Sequence, residues 1–265
     1  KPNHFEQWKL ARWADVIYHH NPAFSYWLPS LVRWPTVFSI HTWISRTDRR
    51  GSKKDRVKLE VLKKFPCIAN SRATATHLAG PSTIIENAYD DSIFQLVTPW
   101  VERHGCSFVG RLVSDKGVPT AIAAIGEAKR QGYAIPLRII GSGPDEAELR
   151  SQVNSLGLED LVTFEGRLAP KAVAAELNQV KYLLVPSKWE EPFGIVALEG
   201  IACGCIPLGT NQGGLVDAIG TCGPLFEKDD ARGLADCLIQ LEREPELVAK
   251  YRATAPAHLE AHSPK

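Results

Sequence analysis

Methionine is missing from all 265 residues, and the chain opens on lysine. Together these imply a fragment or a processed product, with further sequence expected upstream. Nowhere do 18 or more apolar residues run together, so no membrane-spanning helix is expected. The opening "KPNHFEQWKL" lacks the apolar centre of a secretion signal. Charge of one sign is lacking too: 31 basic and 30 acidic residues leave a net +1, and no global field marks a nucleic-acid binder. The six cysteines (Cys67, Cys106, Cys203, Cys205, Cys222 and Cys237) show no CxxC spacing and no companion histidine cluster. They read as small buried thiols in a reducing compartment rather than as metal ligands or disulfides.

What is present suits a soluble globular enzyme: 44% hydrophobic and 23% charged residues. The length allows two modest domains or one large one with a real core. From residue 106 onward, apolar strands alternate with helical patterns. Strands are expected at Ser107–Gly110, Leu137–Gly141, Val162–Glu165, Tyr182–Val185, Ile206–Gly209 and Pro224–Phe226. In "VPTAIAAIGEAKRQ", Val118, Ala121, Ile122, Ile125 and Ala128 fall on one helical face. This is the pattern of βαβ units in a parallel, doubly wound sheet. The first hundred residues repeat it more faintly in "DVIYHH", "TVFSIHT", "CIANS" and "STIIENAY", which read as short buried strands. Residues Val97–His104, with Pro99 and no periodicity, read as a hinge. The expectation is an α/β chain of two facing Rossmann-like domains with a cleft between them. Residues 1–98 are expected to form the first, incomplete domain, and residues 99–265 the second.

Doubly wound sheets bind ligands outside the carboxyl ends of their strands. Three such ends carry suggestive residues. After the first strand of the second domain comes "GRLVSDKG", where Arg111 and Lys116 could aim two cations at one diphosphate while Gly110 and Gly117 let backbone approach. Solvated surface cations are the plain alternative. The second strand ends in "GSGP", which lacks the third glycine of a dinucleotide fingerprint. The fourth empties into "VPSKWEEPFGIVALEG", in which Glu191 and Glu199 flank seven uncharged residues. Eight helical residues span roughly 12 Å, enough to set the two carboxylates at different parts of one extended ligand. Glu199 lies between Leu198 and Ile201 on an otherwise apolar helix, where a buried carboxylate needs a ligand hydroxyl or a cation.

"FVGRLVSDKG", "IIGSGP", "VPSKWEEPFGIVALEGIACGCIP" and "GGLVD", in this order, resemble glycosyltransferase family 4, retaining enzymes of GT-B architecture. The similarity extends into the first domain through "DVIYHHNP", "TVFSIHT", "CIANSRATATHL" and "STIIENAYDDSIF". It implies a hexosyl transfer from a nucleoside diphosphate sugar to a hydroxyl acceptor, glycan or lipid-linked, in glycan or polysaccharide biosynthesis. It further implies that residues 1–98 form the acceptor-side domain and residues 99–265 the nucleotide-sugar-binding domain of a cytoplasmic enzyme that needs no cofactor. The lack of a DxD at any strand end makes a metal-independent enzyme the expectation. Under the resemblance, Arg111 and Lys116 hold the diphosphate, Glu191 faces the donor sugar and Glu199 bonds the ribose hydroxyls. The backbone at Phe193, Gly194 and Ile195 contacts sugar and phosphate, Arg167 and Leu168 lie near the base, and His41 reaches the sugar from the first domain. Read without the resemblance, His41 is equally a structural residue at a strand end. No DxD stands at a strand end; Asp90-Asp91 and Asp229-Asp230 read as turn or helix-capping residues.

Departures from the family pattern are Glu86 and Ala88 in "ENAYD", Asp217 in place of a glutamate, and the absence of an opening strand with a glycine-rich loop. They keep a non-catalytic or partner-dependent nucleotide-sugar-binding module open as the alternative, and a sugar-nucleotide epimerase as a weaker one. Residues 46–64 hold nine basic and three acidic side chains, and five of the seven tryptophans (Trp8, Trp13, Trp27, Trp34, Trp43) come before them. Three readings stand: peripheral contact with an anionic membrane or lipid-linked acceptor, a solvated helix beside core aromatics, or stacking on an acceptor sugar.

Overall fold

The computed structural model describes residues 4–21, 35–44, 52–78 and 80–264. The chain groups into two compact units, Lys1–Asn87 and Ala88–Lys265. In the first, α1 (His4–Trp13), β1 (Ile17–His20), β2 (Thr36–Ile40), α2 (Lys53–Leu62), β3 (Cys67–Ala69), α3 (Arg72–Leu78) and β4 (Ser82–Ile84) follow in order. The strands pair in parallel in the order β1-β2-β3-β4. Phe38, Ile40, Leu62, Cys67, Ala69 and Leu78 make the core, all drawn from the two inner strands and the helices over them. β1 and β4 were expected to be buried and instead alternate or face out, because each is an outer strand of the sheet. The start of α2 is fixed by a capping box: Ser52 Oγ accepts from the Asp55 N–H, and the Asp55 carboxylate accepts from the Ser52 N–H at 3.1 Å.

The second unit runs β5 (Cys106–Val109), α4 (Val118–Arg130), β6 (Leu137–Ile140), α5 (Glu146–Ser155), β7 (Val162–Gly166), α6 (Pro170–Leu177), β8 (Tyr182–Val185), α7 (Ile195–Ala202), β9 (Ile206–Thr210), α8 (Leu215–Ile219), β10 (Leu225–Phe226), α9 (Ala231–Arg243) and α10 (Pro245–Ala261). Its sheet is parallel, ordered β10-β9-β8-β5-β6-β7. Strand parity divides the core. Tyr182 and Leu184 of β8 join Phe108, Leu137 and Ile139 under α4 and α9, whereas Leu183 and Val185 face the cluster of Val173, Leu177 and Cys203. Both faces are covered, so the strands read as continuous apolar runs rather than alternating ones. Each fully buried Leu or Ile stabilises by about 1.5–3 kcal/mol. α7 lies hard against β8: a Cβ on Gly200 would sit 2.4 Å from Leu183 Cδ2.

The division of the chain precedes the expected 98/99 boundary, and residues 97–104, expected as a hinge, are fastened into the C-terminal unit. Phe94 enters its core. Asn178 Oδ1 accepts from the N–H groups of Val97 and Thr98 at 2.8 and 3.1 Å. Arg103 is 1% exposed. It donates to the carbonyls of Thr98 at 2.8 Å, Cys203 at 2.7 Å and Val180 at 3.3 Å, and to Asn178 Oδ1 at 3.1 Å. Burial lowers its pKa, and no carboxylate among the described residues pairs with it. Its charge is met by backbone dipoles instead. The cysteines are free thiols, buried except for the partly exposed Cys237. Among the described residues no helix is long and apolar enough to cross a membrane. Replacing Arg103 by methionine strips these acceptors of their donor. We expect a loss of about 3 kcal/mol or more, read from the urea midpoint at constant slope.

Candidate functional site

The strand order of the second unit reverses between β5 and β8. The chain leaves β5 toward β6 and β7, then returns to the other side for β8, β9 and β10. Such a switch point leaves a crevice outside the carboxyl ends of the two strands. The loop after β5, carrying Gly110, Arg111 and Lys116, and the loop after β8, carrying Glu191, meet there. Residues Ser114–Lys116 form one 3-10 turn, and Gly117 leaves it with φ of 70°. A Cβ at 117 would lie 1.7 Å from the Pro186 carbonyl oxygen, so the two loops approach as only glycine permits. The Asp115 carbonyl accepts from the N–H groups of Lys188 and Trp189 at 2.8 and 3.0 Å.

The side chains meet as the backbones do. Lys116 Nζ makes an ion pair with Glu191 Oε1, and Ser187 Oγ donates to the same oxygen at 2.7 Å. The β9 end braces this loop from the other side. The Ser187 carbonyl accepts from Thr210 Oγ1 at 3.0 Å and Gln212 Nε2 at 2.7 Å, and the Glu191 carbonyl from the Gly214 N–H at 2.7 Å. Sequence reading singled out none of Ser187, Thr210 and Gln212, although Ser187 stands in the quoted motif.

After Glu191 the chain turns through Gly194, with φ of 97°, into α7. The N-terminus of α7 has no side-chain cap, so its first N–H groups stay available to an anion. The Phe193 ring is buried among Ala197, Leu198 and Ile201, which leaves its backbone as the part that can meet a ligand. Ile195 is 41% exposed. On α7, Glu199 is half-buried, and its carboxylate makes no hydrogen bond among the described residues; desolvation raises its pKa. Arg111 is exposed and makes no ion pair among the described residues. Arg167 is exposed and Leu168 half-buried, both just beyond β7, which β5 and β6 separate from β8. Among the described residues no three His, Cys, Asp or Glu side chains gather as a metal site. Asp230 caps α9, accepting from the Gly233 N–H at 2.8 Å, and Asp229 pairs with Lys188 at 2.8 Å. Asp217 is buried on α8.

In the N-terminal unit, His41 follows β2. Its Nε2 lies 2.8 Å from Ser39 Oγ, its Nδ1 lies 3.1 Å from Asn87 Oδ1, and its N–H donates to Asn21 Oδ1 at 2.7 Å. Its ring packs on that of His20, with centroids 4.5 Å apart. Burial lowers its pKa; the Asn87 bond raises it in part, and the His20 charge lowers it. The imidazole is therefore neutral at pH 7. Asn21 and Asn87 are contacts that sequence reading did not identify, because they lie 20 and 46 residues away.

Residues 105–258 match the profile of a family described as "Glycosyl transferases group 1". The chain belongs to that family. The resemblance to glycosyltransferase family 4 is borne out to this extent. Among curated relatives, the glycogen synthase of Mycobacterium tuberculosis is 32% identical over 197 residues, covering 71% of this chain and 47% of that protein. N-acetyl-alpha-D-glucosaminyl L-malate synthase of Bacillus anthracis is 37% identical over 113 residues, covering 42% of this chain and 29% of that protein. The chain thus spans about half the length of the first and less of the second. Among solved structures, Anabaena Alr3699/HepE in complex with UDP and glucose matches with a TM-score of 0.79 at 21% identity, over 98% of this chain and 77% of that one. Sucrose-phosphate synthase from Thermosynechococcus elongatus matches with a TM-score of 0.78 at 22% identity, over 97% and 72%. These likenesses establish the fold, an α/β GT-B architecture with parallel sheets.

Glu199 supplies a test on the free protein. A carboxyl whose folded pKa is raised costs stability as pH climbs past the unfolded value of about 4.3, and the full cost remains above the folded value. Glu199→Gln should therefore raise the melting temperature at pH 7, by roughly 1–4 °C, with the gain vanishing toward pH 4. A melting series across pH checks it.

Proposed function

We propose that this protein is a retaining glycosyltransferase that moves a hexosyl group from a nucleoside diphosphate sugar to a hydroxyl acceptor. The observation that carries the reading is the meeting of Lys116 and Glu191 at the switch point, beside the uncapped N-terminus of α7. Cleaving the bond between the anomeric carbon and the phosphate oxygen leaves an oxocarbenium-like sugar and a diphosphate of growing negative charge. Arg111, Lys116 and the N–H groups at the start of α7 are suited to that charge, where preorganised partners contribute most. Glu199, half-buried and without a protein partner among the described residues, suits the ribose hydroxyls. Glu191 faces the sugar, the backbone at Phe193, Gly194 and Ile195 lines its path, and Gly110 admits the diphosphate. Arg167 and Leu168 lie toward the base. His41, neutral at pH 7, is assigned a hydrogen bond to the sugar. The acceptor hydroxyl attacks the face the leaving group vacates and gives its proton to the departing phosphate, which preserves the anomeric configuration.

UDP is the first nucleotide to test, since the Anabaena neighbour was solved with UDP and glucose. UDP at about 100 times its dissociation constant should stabilise the chain by about 2.7 kcal/mol in a thermal-shift panel against GDP and ADP. Arg111→Ala and Lys116→Ala should each weaken binding about tenfold. Glu191→Ala should lower turnover far more than it weakens nucleotide binding. Equal losses would remove Glu191 from its assigned role, and binding without transfer or donor hydrolysis would favour a binding module.

The acceptor is proposed to be a glycan or a lipid-linked sugar, with peripheral contact to an anionic membrane. On α1, Phe5, Leu10 and Trp13 are 68%, 57% and 84% exposed, with Lys9 over the Phe5 ring. α2 adds exposed Lys53, Lys54 and Arg56. Such a pairing of apolar and cationic groups suits the membrane interface. Trp27, Trp34 and the basic residues at 46, 49 and 50 lie outside the described residues. The chain should cosediment with vesicles containing phosphatidylglycerol and not with phosphatidylcholine alone, and Trp13→Ser should reduce the bound fraction several-fold.

A further inference from the structure

We propose that Ser187 is the positioning residue for Glu191, holding its carboxylate in place once a diphosphate has drawn Lys116 away. The proposal rests on the reading that Glu191 faces the donor sugar. In the free protein Glu191 Oε1 takes two donors, the Lys116 ammonium and the Ser187 hydroxyl at 2.7 Å. The two are not equivalent. Lys116 stands on a long flexible stem, is 26% exposed, and carries the charge for which an incoming diphosphate competes. Ser187 is 1% exposed, and a single torsion places its oxygen.

The chain is braced on both sides of Ser187. Its carbonyl is held at once by Thr210 Oγ1 at 3.0 Å and by Gln212 Nε2 at 2.7 Å. Thr210 is itself buried at the end of β9, the strand paired with β8. Pro186, on the other side, has its carbonyl oxygen against Gly117, where no side chain could intervene. The hydroxyl also lies 3.4 Å from the Asp115 carbonyl, but the shorter contact is to the carboxylate, and a hydroxyl has one proton to give. When Lys116 turns to phosphate, the short charge-assisted bond from Ser187 is what keeps the Glu191 carboxylate from swinging after the ammonium. The sugar then meets a carboxylate whose position was set before the donor arrived.

Calorimetric titration of the full chain with UDP and with UDP-glucose separates this role from a general one. The ratio of the two affinities reads the sugar contact, while UDP alone reads the diphosphate and nucleoside contacts. Ser187→Ala should leave UDP affinity within about twofold and shift the ratio against UDP-glucose by about tenfold. In the Glu191→Ala background the same substitution should change the ratio less than about twofold, because its effect passes through the carboxylate. An equal shift in both backgrounds, or no shift in the wild-type background, overturns the proposal. If Glu191→Ala leaves the ratio unchanged, Glu191 does not face the sugar, and the proposal falls with that reading. Failure of either probe to bind rejects the UDP-sugar donor itself. Should Ser187→Ala not fold, Ser187→Cys keeps a similar shape with a far weaker donor and should shift the ratio in the same direction.

Discussion

The switch-point crevice of the C-terminal unit depends on one close approach, that of the backbone at Gly117 to the carbonyl of Pro186. It brings the loop after β5 onto the loop after β8, so that Asp115 accepts from Lys188 and Trp189 and Lys116 meets Glu191. Adjacent parallel strands supply the direction, since β5 and β8 point the same way and end side by side. The glycine supplies the distance. Charges that belong to residues 75 positions apart are thereby set against each other within one crevice.

The strands were legible because burial on both sheet faces writes continuous apolar runs into the chain, as in Tyr182–Val185. Glu199 was legible for a related reason: a carboxylate flanked by Leu198 and Ile201 has to be at least partly buried, and it is. Arg103 was not. In "VERHGC" it reads as an ordinary surface cation, because arginines are rarely buried, and its partners are carbonyls contributed by segments up to 100 residues away. The same applies to the Lys116–Glu191 pair and to the asparagines around His41. Spacing along the chain shows that two polar groups lie on one loop or helix face; it does not show which distant group each will meet. Ser187 reads in the sequence simply as a residue that ends the strand, since serine is one of the residues favoured in turns.

The crevice end of the unit is also where it tolerates unfavourable placements. Glu199 gives up solvation without gaining a protein hydrogen bond among the described residues, and the α7 N-terminus goes without a cap. Either could be relieved by a neutral side chain or a capping residue, at the expense of the groups an anionic, hydroxyl-rich ligand would meet. Arg103 shows the opposite economy. Far from the crevice, a full charge is accepted into the interior because every donor finds an oxygen.

The tight passage at residue 117 has a bearing on how this loop can diversify. A side chain there would collide with main chain rather than with another side chain, so no neighbouring substitution can make room for one. Variation in this loop, whether arising by drift or from a randomised library, is then confined to the flanking positions from Arg111 to Asp115, with the turn that follows carried along unchanged as a fixed hinge pin.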